Sequence, residues 1–244
     1  MQKTCKYTYV NSRQEVSVLK RKGIFIMSGV EELKEIVLHQ LSGWWKDYNE
    51  NIISEFVPQA YSKIYNCLQA TVAKPAFSPF NTVQYSVFLY YLSNLLAKNG
   101  GTDKKVPKEA EMVYYLNKIM HANDWFYMVE LPKYFLAEHP IGSAMGRAQY
   151  GDHLFIYQGV TVGANRKDGI LYHPTLGDNV LMYANSTILG DSHIGNNVIV
   201  SADSYLINET IPDNCIVFGR SPDITIKQAS EDKIKDMTSH IWEW

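Results

Sequence analysis

A six-residue repeat in the second half of the chain constrains the fold more than any other sequence feature. An aliphatic residue or methionine recurs at every sixth position over six unbroken repeats, and a small or aliphatic residue follows most of these starters by four positions. Asparagine and glycine, which tolerate tight turns, lie between many of the repeats. The starters are Leu176, Met182, Ile188, Ile194, Val200 and Leu206, and Ile156 and Val162 have the same spacing earlier in the chain.

This period is typical of a parallel β-helix. Each hexapeptide forms one short strand and one turn, and three such faces close a coil of about 18 residues. The starter side chain points inward and stacks on its counterparts in neighbouring coils. A single coil cannot bury its own inner face, so stacked coils supply the core. The outermost strands need covers, which we expect from the helical first half at one end and from the segment beginning at Asp223 at the other.

The polar segment 164–175 separates two regular stretches of repeats and contains glycine and proline. These residues predict a loop that leaves the coils. Loops that project from a rigid scaffold commonly carry functional residues.

The first half of the chain has the apolar spacing of helices. The pattern Ser28-Gly29-Val30-Glu31 predicts a capping box at the first helix. Three further helices are predicted, over about 52–72 with an interruption near Pro58, over 82–98, and after Pro107. The aromatic residues of these helices are interpreted as core and helix–helix packing rather than as a ligand platform: Trp44, Trp45, Tyr90, Tyr91, Tyr114 and Tyr115.

Four regions are predicted along the chain. They are an extension of unknown role at 1–26, an α-helical domain at 27–128, a β-helix domain at 129–222 and a C-terminal tail at 223–244.

Composition excludes several classes of function. The net charge is −2 and the only basic cluster, Lys20 to Lys22, is short, so no nucleic-acid partner is predicted. No apolar run approaches the roughly 20 residues of a membrane span, and no apolar signal core is present at the N-terminus. The three cysteines lie far apart and form neither a disulfide framework nor a CxxC pair, which favours a cytoplasmic protein.

The block 138–222 resembles the serine acetyltransferase branch of the hexapeptide-repeat acyltransferases. The similarity is specific in order and spacing and covers about the last 40% of the chain. The matching segments are 138–142 (EHPIG), 158–163 (QGVTVG), 173–177 (HPTLG), 183–190 (YANSTILG), 201–204 (SADS), 211–212 (IP) and 217–222 (VFGRSP).

The resemblance implies an α+β fold, with an N-terminal α-helical domain followed by a left-handed parallel β-helix of hexapeptide repeats. It implies a homotrimer with active sites between subunits, and leaves open whether two trimers pair. The implied activity is O-acetyl transfer from acetyl-CoA to a hydroxyl. In such an enzyme His139 is the general base and His173 lies on the acceptor side. The pantetheine arm runs past small residues that match Ala164, Ala184 and Ala202.

The chemistry of the residues agrees with this assignment. An unperturbed imidazole titrates near pH 6.5 and can accept a hydroxyl proton at neutral pH. A carboxylate beside it fixes the tautomer, and the acidic motif of the family matches Glu130. Because this stretch is shorter here than in the family, Asp124 stays open as an alternative, although it lies in a segment predicted to be helical. Glu138 is expected to touch the acceptor.

One position bears on the acceptor. Serine acetyltransferases carry an arginine directly before the second histidine, where it binds the serine carboxylate, and this chain has Tyr172. Loss of the guanidinium removes the bidentate carboxylate contact. Serine and a saccharide of the capsule or O-antigen type both stay open as acceptors, and Tyr172 favours the saccharide.

Two other functions are compatible with a β-helix. A metal-dependent β-helix enzyme of the carbonic anhydrase type needs three histidines that converge on one metal, and the spacings His139–His153–His173–His193 are 14, 20 and 20 residues. No metal site is therefore predicted, and His153 and His193 are interpreted as exterior turn residues. A non-catalytic scaffold or assembly subunit is the remaining alternative, and the retention of both matched histidines disfavours it.

Overall fold

The computed structural model describes residues 29–100 and 105–244. Four helices come first and short strands follow, in the order that the two periods predict. The predicted extension 1–26 and Ser28 lie outside the described residues. The helices are α1 (Val30–Ser42), α2 (Glu50–Gln69), α3 (Thr82–Asn99) and α4 (Lys108–His121).

The starts of two helices are fixed by asparagine caps. Asn49 accepts hydrogen bonds from the first backbone N–H groups of α2, and Asn81 does the same for α3. These bonds satisfy donors that a helix start leaves without partners. Helix α1 begins instead after Gly29, which offers no side-chain cap.

Helix α2 continues through Pro58, where an interruption was predicted. An interior proline costs about 3 kcal/mol. The helix buries Ile53, Val57 and Ile64 completely, and each such side chain contributes about 2 kcal/mol on burial. Burial on both sides of the proline therefore outweighs its cost.

Helix α3 is central to the helical part and connects it to the strands. Tyr90 Oη donates a hydrogen bond to the carbonyl of Val129 at 2.8 Å and accepts one from the N–H of Leu131 at 2.9 Å. Tyr90 and Tyr91 are buried, as predicted for core aromatics. Trp44 and Tyr115 are instead 60% and 54% exposed, because Trp44 follows the end of α1 and Tyr115 lies on the outer side of α4, where it packs edge-on against Trp45 at 6.0 Å.

Short parallel strands build the three faces of a prism, named A, B and C here. Face A contains β2 (Phe135–Ala137), β5 (Leu154–Ile156), β10 (Val180–Met182), β13 (Val198–Val200) and the first half of β16 (Cys215–Arg220). Face B contains β1 (Asp124–Trp125), β3 (Ala144–Met145), β6 (Thr161–Gly163), β11 (Thr187–Leu189) and β14 (Tyr205–Ile207). Face C contains β4 (Gln149–Tyr150), β9 (Thr175–Leu176), β12 (His193–Ile194) and β15 (Thr210–Ile211).

The chain passes from face A to B to C and repeats this circuit for about five left-handed turns. The predicted fold class is confirmed: helices followed by a left-handed parallel β-helix. The pairing begins at Asp124, before the predicted boundary at residue 129 and in a segment that had been predicted to be helical.

The inward ladder follows the predicted period. Met182 lies in register with Val200, and Ile188 with Leu206. All six predicted starters are at most 4% exposed. Their stacking forms the dry interior of the prism.

Left-handed backbone conformations turn the corners between faces. Asn179, Asn197 and Asn214 occupy equivalent corners with φ of 55°, 54° and 59°. The Nδ2 groups of Asn179 and Asn197 each donate to the Oδ1 of the next asparagine, both at 3.0 Å. Asparagine is favoured here because it tolerates positive φ better than most residues do.

The predicted loop at 164–175 contains a β-hairpin. Strands β7 (Asn165–Lys167) and β8 (Ile170–Tyr172) pair in antiparallel fashion. Asp168 and Gly169 join them with φ of 50° and 81°, the positive values that a type I′ turn requires. The hairpin therefore projects from the corner between faces B and C.

The C-terminal segment covers the prism and ties it to the helices. Strand β17 (Asp223–Gln228) pairs antiparallel with β16, and α5 (Glu231–Thr238) follows. Trp242 contacts Phe155 on face A, with ring centroids 6.3 Å apart, and forms a β-bridge with Thr71 after α2. The outward side of face A is consequently buried, and Leu181 and Ile199 are each 1% exposed.

Across 29–100 and 105–244, none of the helices combines the length and apolar character needed to cross a membrane.

Candidate active site

His139 lies on an enlarged corner between faces A and B. Residues 138–143 join β2 to β3, whereas the shorter segments 157–160 and 183–186 make the same connection in the next two coils. The N–H of Glu138 donates to Ile156 O and the N–H of Gly159 donates to Ile141 O, both at 2.9 Å. Segment 138–143 is two residues longer than the other corners, so its middle bulges outward between these two hydrogen bonds.

The bulge directs His139 outward. Its backbone has a φ of 48°, and its carbonyl accepts a 2.7 Å hydrogen bond from the N–H of Ile141. The imidazole side chain is 74% exposed, while Pro140 beside it is buried. The predicted base is thus accessible from outside the prism, where a substrate could reach it.

The carboxylate that contacts His139 is Glu138. Its Oε1 lies 3.4 Å from His139 Nε2. Glu130, predicted to orient the imidazole, forms an ion pair with Lys98 of α3 instead. The partner of Glu130 within the described residues is therefore a lysine of the helical part, and its role toward His139 stays a prediction.

Asp124, the alternative carboxylate, is also engaged elsewhere. It accepts hydrogen bonds from Tyr114 Oη at 2.5 Å and Lys118 Nζ at 2.6 Å. Burial alone would raise the pKa of Asp124, but these hydrogen bonds and the Lys118 charge hold it below its ordinary value. Asp124 is therefore a stable anion between two side chains of α4.

His173 lies at the base of the hairpin, one residue after Tyr172. Its Nδ1 is 3.1 Å from the carbonyl oxygen of Arg147. A carbonyl only accepts, so this contact places the proton of the neutral ring on Nδ1 and leaves Nε2 with a free lone pair. Both His173 and Tyr172 are partly buried.

The two histidines occupy different corners of one chain. His139 is on the corner from A to B, and His173 is on the corner from B to C. Face B lies between them, and its three-residue strand β6 alone spans about 10 Å at 3.3 Å per residue. A single chain therefore does not bring the two imidazoles together.

The three alanines lie on the outside of the coils. Ala184 and Ala202 occupy the same position of the A-to-B corner in consecutive coils, where the N–H of Asp203 donates to Ala184 O at 2.9 Å. Ala202 is exposed, and so is Ala164, which directly follows β6. The methyl side chains of Ala184 and Ala202 leave a shallow strip along the corner.

A stacked tyrosine pair beside His139 was missed by the sequence analysis. Tyr157 and Tyr183 have ring centroids 5.2 Å apart and an interplanar angle of 21°. Both are partly exposed and occupy the corner position that Glu138 holds in the first coil. The signal was available, because each tyrosine directly follows a residue with the starter spacing, Ile156 or Met182.

The two remaining histidines of the β-helix differ in surroundings. His153 is a turn residue, as predicted, with a φ of 60°. It stacks on Tyr134 at 4.7 Å, and burial lowers its pKa. His193 lies in β12 rather than in a turn, and its Nε2 is 3.2 Å from Asp191.

In the described ranges no group of three or more His, Cys, Asp or Glu side chains could hold a metal ion. A cleft of about 710 Å³ opens in the helical part, lined by residues that include His39, Tyr85 and His121. None of the predicted site residues lines this cleft.

Named proteins with similar sequences are serine acetyltransferases. No model of a known protein family matches the chain. The serine acetyltransferase of Synechococcus elongatus is 31% identical over 117 residues, which are 48% of this chain and 48% of the relative. That of Staphylococcus epidermidis is 33% identical over 111 residues, which are 45% of this chain and 52% of the relative. The chain thus spans about half the length of the curated relatives it matches.

Solved serine acetyltransferases share the fold at low sequence identity. The Neisseria gonorrhoeae structure has a TM-score of 0.63 and 22% identity, covering 84% of this chain and 83% of that one. The Vibrio cholerae structure has a TM-score of 0.65 and 16% identity, covering 92% and 90%. The likeness of fold therefore extends into the helical part. The predicted resemblance to the serine acetyltransferase branch is confirmed.

Proposed function

We propose that this protein is an O-acetyltransferase that moves the acetyl group of acetyl-CoA to an acceptor hydroxyl. The observation that carries the proposal is the enlarged corner at 138–143, which presents the imidazole of His139 to the outside beside a carboxylate. The names of the similar proteins support the same reaction.

The proton follows a simple route in this proposal. His139 accepts the proton of the acceptor hydroxyl as the oxygen bonds to the acetyl carbonyl carbon. The C–S bond breaks, and the departing sulfur takes that proton from the imidazolium. An imidazole can both accept and return a proton at neutral pH, which suits both transfers. Glu138 stabilises the imidazolium by its charge and contacts the acceptor.

Small side chains would hold the donor. Ala164, Ala184 and Ala202 leave room for a pantetheine chain to lie close to the coil backbone, so the residues present fit this co-substrate. Held in place, the thioester and the hydroxyl react as neighbours, which is the main contribution of binding to rate.

We further propose a homotrimer with active sites between subunits. Because face B separates His139 from His173 in one chain, a site that contains both histidines needs a second copy. In the proposed assembly, His139 of one copy faces His173 of its neighbour. Pairing of two trimers through the helices is a further arrangement that mass measurement would reveal.

We propose different roles for the two domains. The β-helix domain, proposed at 129–222, carries the chemistry, and the helical domain at 27–128 covers its first coils. The described cysteines, Cys67 and Cys215, are buried and free, which is consistent with the proposed cytoplasmic location.

Two acceptor classes follow from different observations. The relatives' names support serine. Tyr172, in place of the carboxylate-binding arginine, supports a saccharide. If the acceptor is a saccharide, Tyr172→Arg lowers turnover with it, and unchanged kinetics would contradict the placement of Tyr172 in the acceptor site.

A matched pair of histidine variants tests the proposal. Both His139 and His193 are exposed and lie beside a carboxylate. We expect His139→Ala to abolish thiol release from acetyl-CoA while calorimetry still detects acetyl-CoA binding. His193→Ala should keep activity within about threefold. Activity of His139→Ala within about tenfold of the native protein would refute the general-base role, and absence of turnover with every amino acid and sugar would favour a non-catalytic scaffold.

A further inference from the structure

We propose that Tyr157 and Tyr183 form an aromatic platform in the acceptor site, and that this platform selects a sugar ring. The inference rests on the proposed function and deepens it by naming the acceptor class as a neutral pyranoside. Tyr157 lies outside the segments that match serine acetyltransferases, whereas Tyr183 lies within one of them.

Backbone register places the platform directly beneath the proposed catalytic corner. The N–H of Glu138 donates to Ile156 O, and the N–H of Tyr157 donates to Met182 O. Glu138, Tyr157 and Tyr183 therefore stand in one column on three consecutive coils. The first member of this column is the residue that contacts His139.

Electrostatics agrees with this closeness. The pKa of Tyr157 is raised by burial first, and then by the neighbouring Tyr183 and the charge of Glu138. The register places Glu138 and Tyr157 on adjacent coils, about 4.8 Å apart along the column, which is within the reach of one ligand.

The length of the column suits a sugar better than an amino acid. Adjacent coils are about 4.8 Å apart, so the path from Glu138 to Tyr183 is about 10 Å. An amino acid extends only about 3.5 Å along its backbone. Serine held at His139 would leave Tyr183 without contact, whereas a glycoside of one or two rings would cover both tyrosines.

The chemistry of the column also favours a neutral polyol. Tyrosine offers an apolar ring face together with a hydroxyl that donates and accepts hydrogen bonds. A pyranose has the matching pattern, an apolar C–H face bordered by hydroxyls. The column continues from Glu138 through both tyrosines to Ser201, and none of these side chains carries the positive charge that would bind a serine carboxylate.

The platform is supported from behind. Tyr157 contacts Phe155 with ring centroids 5.5 Å apart, and Phe155 in turn contacts the buried Trp242. Because these neighbours hold the ring before a ligand arrives, little rotamer entropy is lost on binding.

The experiment uses the full-length protein and two independent readouts. Saturation-transfer NMR detects binding of methyl β-D-glucopyranoside, methyl N-acetyl-β-D-glucosaminide, maltose and L-serine in the presence of CoA, and thiol release gives KM for each acceptor and for acetyl-CoA. The variants are Tyr157→Leu, Tyr183→Leu and Tyr183→Phe. Tyr65→Leu is the control, because Tyr65 also stacks on a tyrosine, Tyr61, at 6.2 Å and 25° in the helical part.

We expect the native protein and Tyr65→Leu to bind at least one glycoside. The two leucine variants at the platform should weaken that binding at least tenfold, and Tyr183→Phe, which keeps the ring, by less than about threefold. KM for acetyl-CoA should change by less than twofold in all variants. A native protein that transfers acetyl to L-serine and binds no glycoside would overturn the inference and leave the proposed reaction standing. Leucine variants that raise KM for acetyl-CoA instead would assign the platform to the donor and also overturn it.

Discussion

Trp242→Ala tests whether the C-terminal segment is an integral part of the fold. Trp242 is 1% exposed, and its ring lies 5.3 Å from His153 and 6.3 Å from Phe155. Truncating a buried tryptophan costs about 3–5 kcal/mol. Trp244, two residues later, is 49% exposed and contacts the same histidine at 5.1 Å. Because half of its surface stays in water, Trp244→Ala should cost about 1 kcal/mol.

Urea unfolding followed by far-UV circular dichroism distinguishes the two variants without relying on tryptophan fluorescence. With a slope of about 3 kcal/mol/M, the Trp242→Ala midpoint should fall by about 1–2 M and the Trp244→Ala midpoint by about 0.3 M. Equal shifts in both variants would refute the claim that Trp242 closes face A. A shift below about 0.3 M for Trp242→Ala would do the same.

Three further predictions concern the prism and its corners. Burial lowers the pKa of His153 from 6.5, so the unfolded chain takes up this proton at higher pH than the folded one. The stability that neutral His153 contributes is therefore fully present above about pH 6.5 and is lost as the pH falls. His153→Gln removes this contribution, so the Tm of the variant should decline less between about pH 7 and 5 than the Tm of the native protein. An equal decline of Tm in both proteins would contradict this prediction. Ile188→Ala, at a fully buried rung, should cost about 2–5 kcal/mol in urea unfolding, whereas Ile170→Ala on the 56% exposed hairpin position should cost less than about 0.5 kcal/mol; similar costs would disprove the inward ladder. Asn197→Val should destabilise by at least about 2 kcal/mol, because a β-branched residue is strained at positive φ and the asparagine hydrogen bonds are lost, and Asn197→Gly, by thermal unfolding, should prove the milder change.

The regular part of the fold could be predicted because period and geometry coincide there. A starter at every sixth position can stack only if each hexapeptide forms one face, so the burial of Met182, Val200 and Leu206 follows from spacing alone. The packing of the C-terminal segment against face A could not be predicted in this way. Trp242 and Thr71 are separated by most of the chain, and their pairing depends on where the helices meet face A.

The candidate site was only partly predictable for the same reason. The exposure of His139 agrees with a role at the surface. The ion pair of Glu130 could not be predicted, because its partner Lys98 is 32 positions away in sequence and no local pattern connects them. The tyrosine column was hidden because its members are separated by whole coils and become neighbours only when the register is known.

The departures from the repeat, rather than the repeat itself, mark where this chain can perform chemistry. A coil with corners like 157–160 and 183–186 places its residues either in the core or on a smooth outer surface, because alternate N–H groups of these corners, such as those of Tyr157 and Gly159, are bonded to the neighbouring coils. A side chain can project as a base only where extra residues are not held by these hydrogen bonds between coils. Such extra residues occur at 138–143 and in the hairpin formed by β7 and β8. These departures occupy neighbouring corners, with face B between them. A site that contains both departures therefore needs a second copy of the chain, which is the arrangement proposed above.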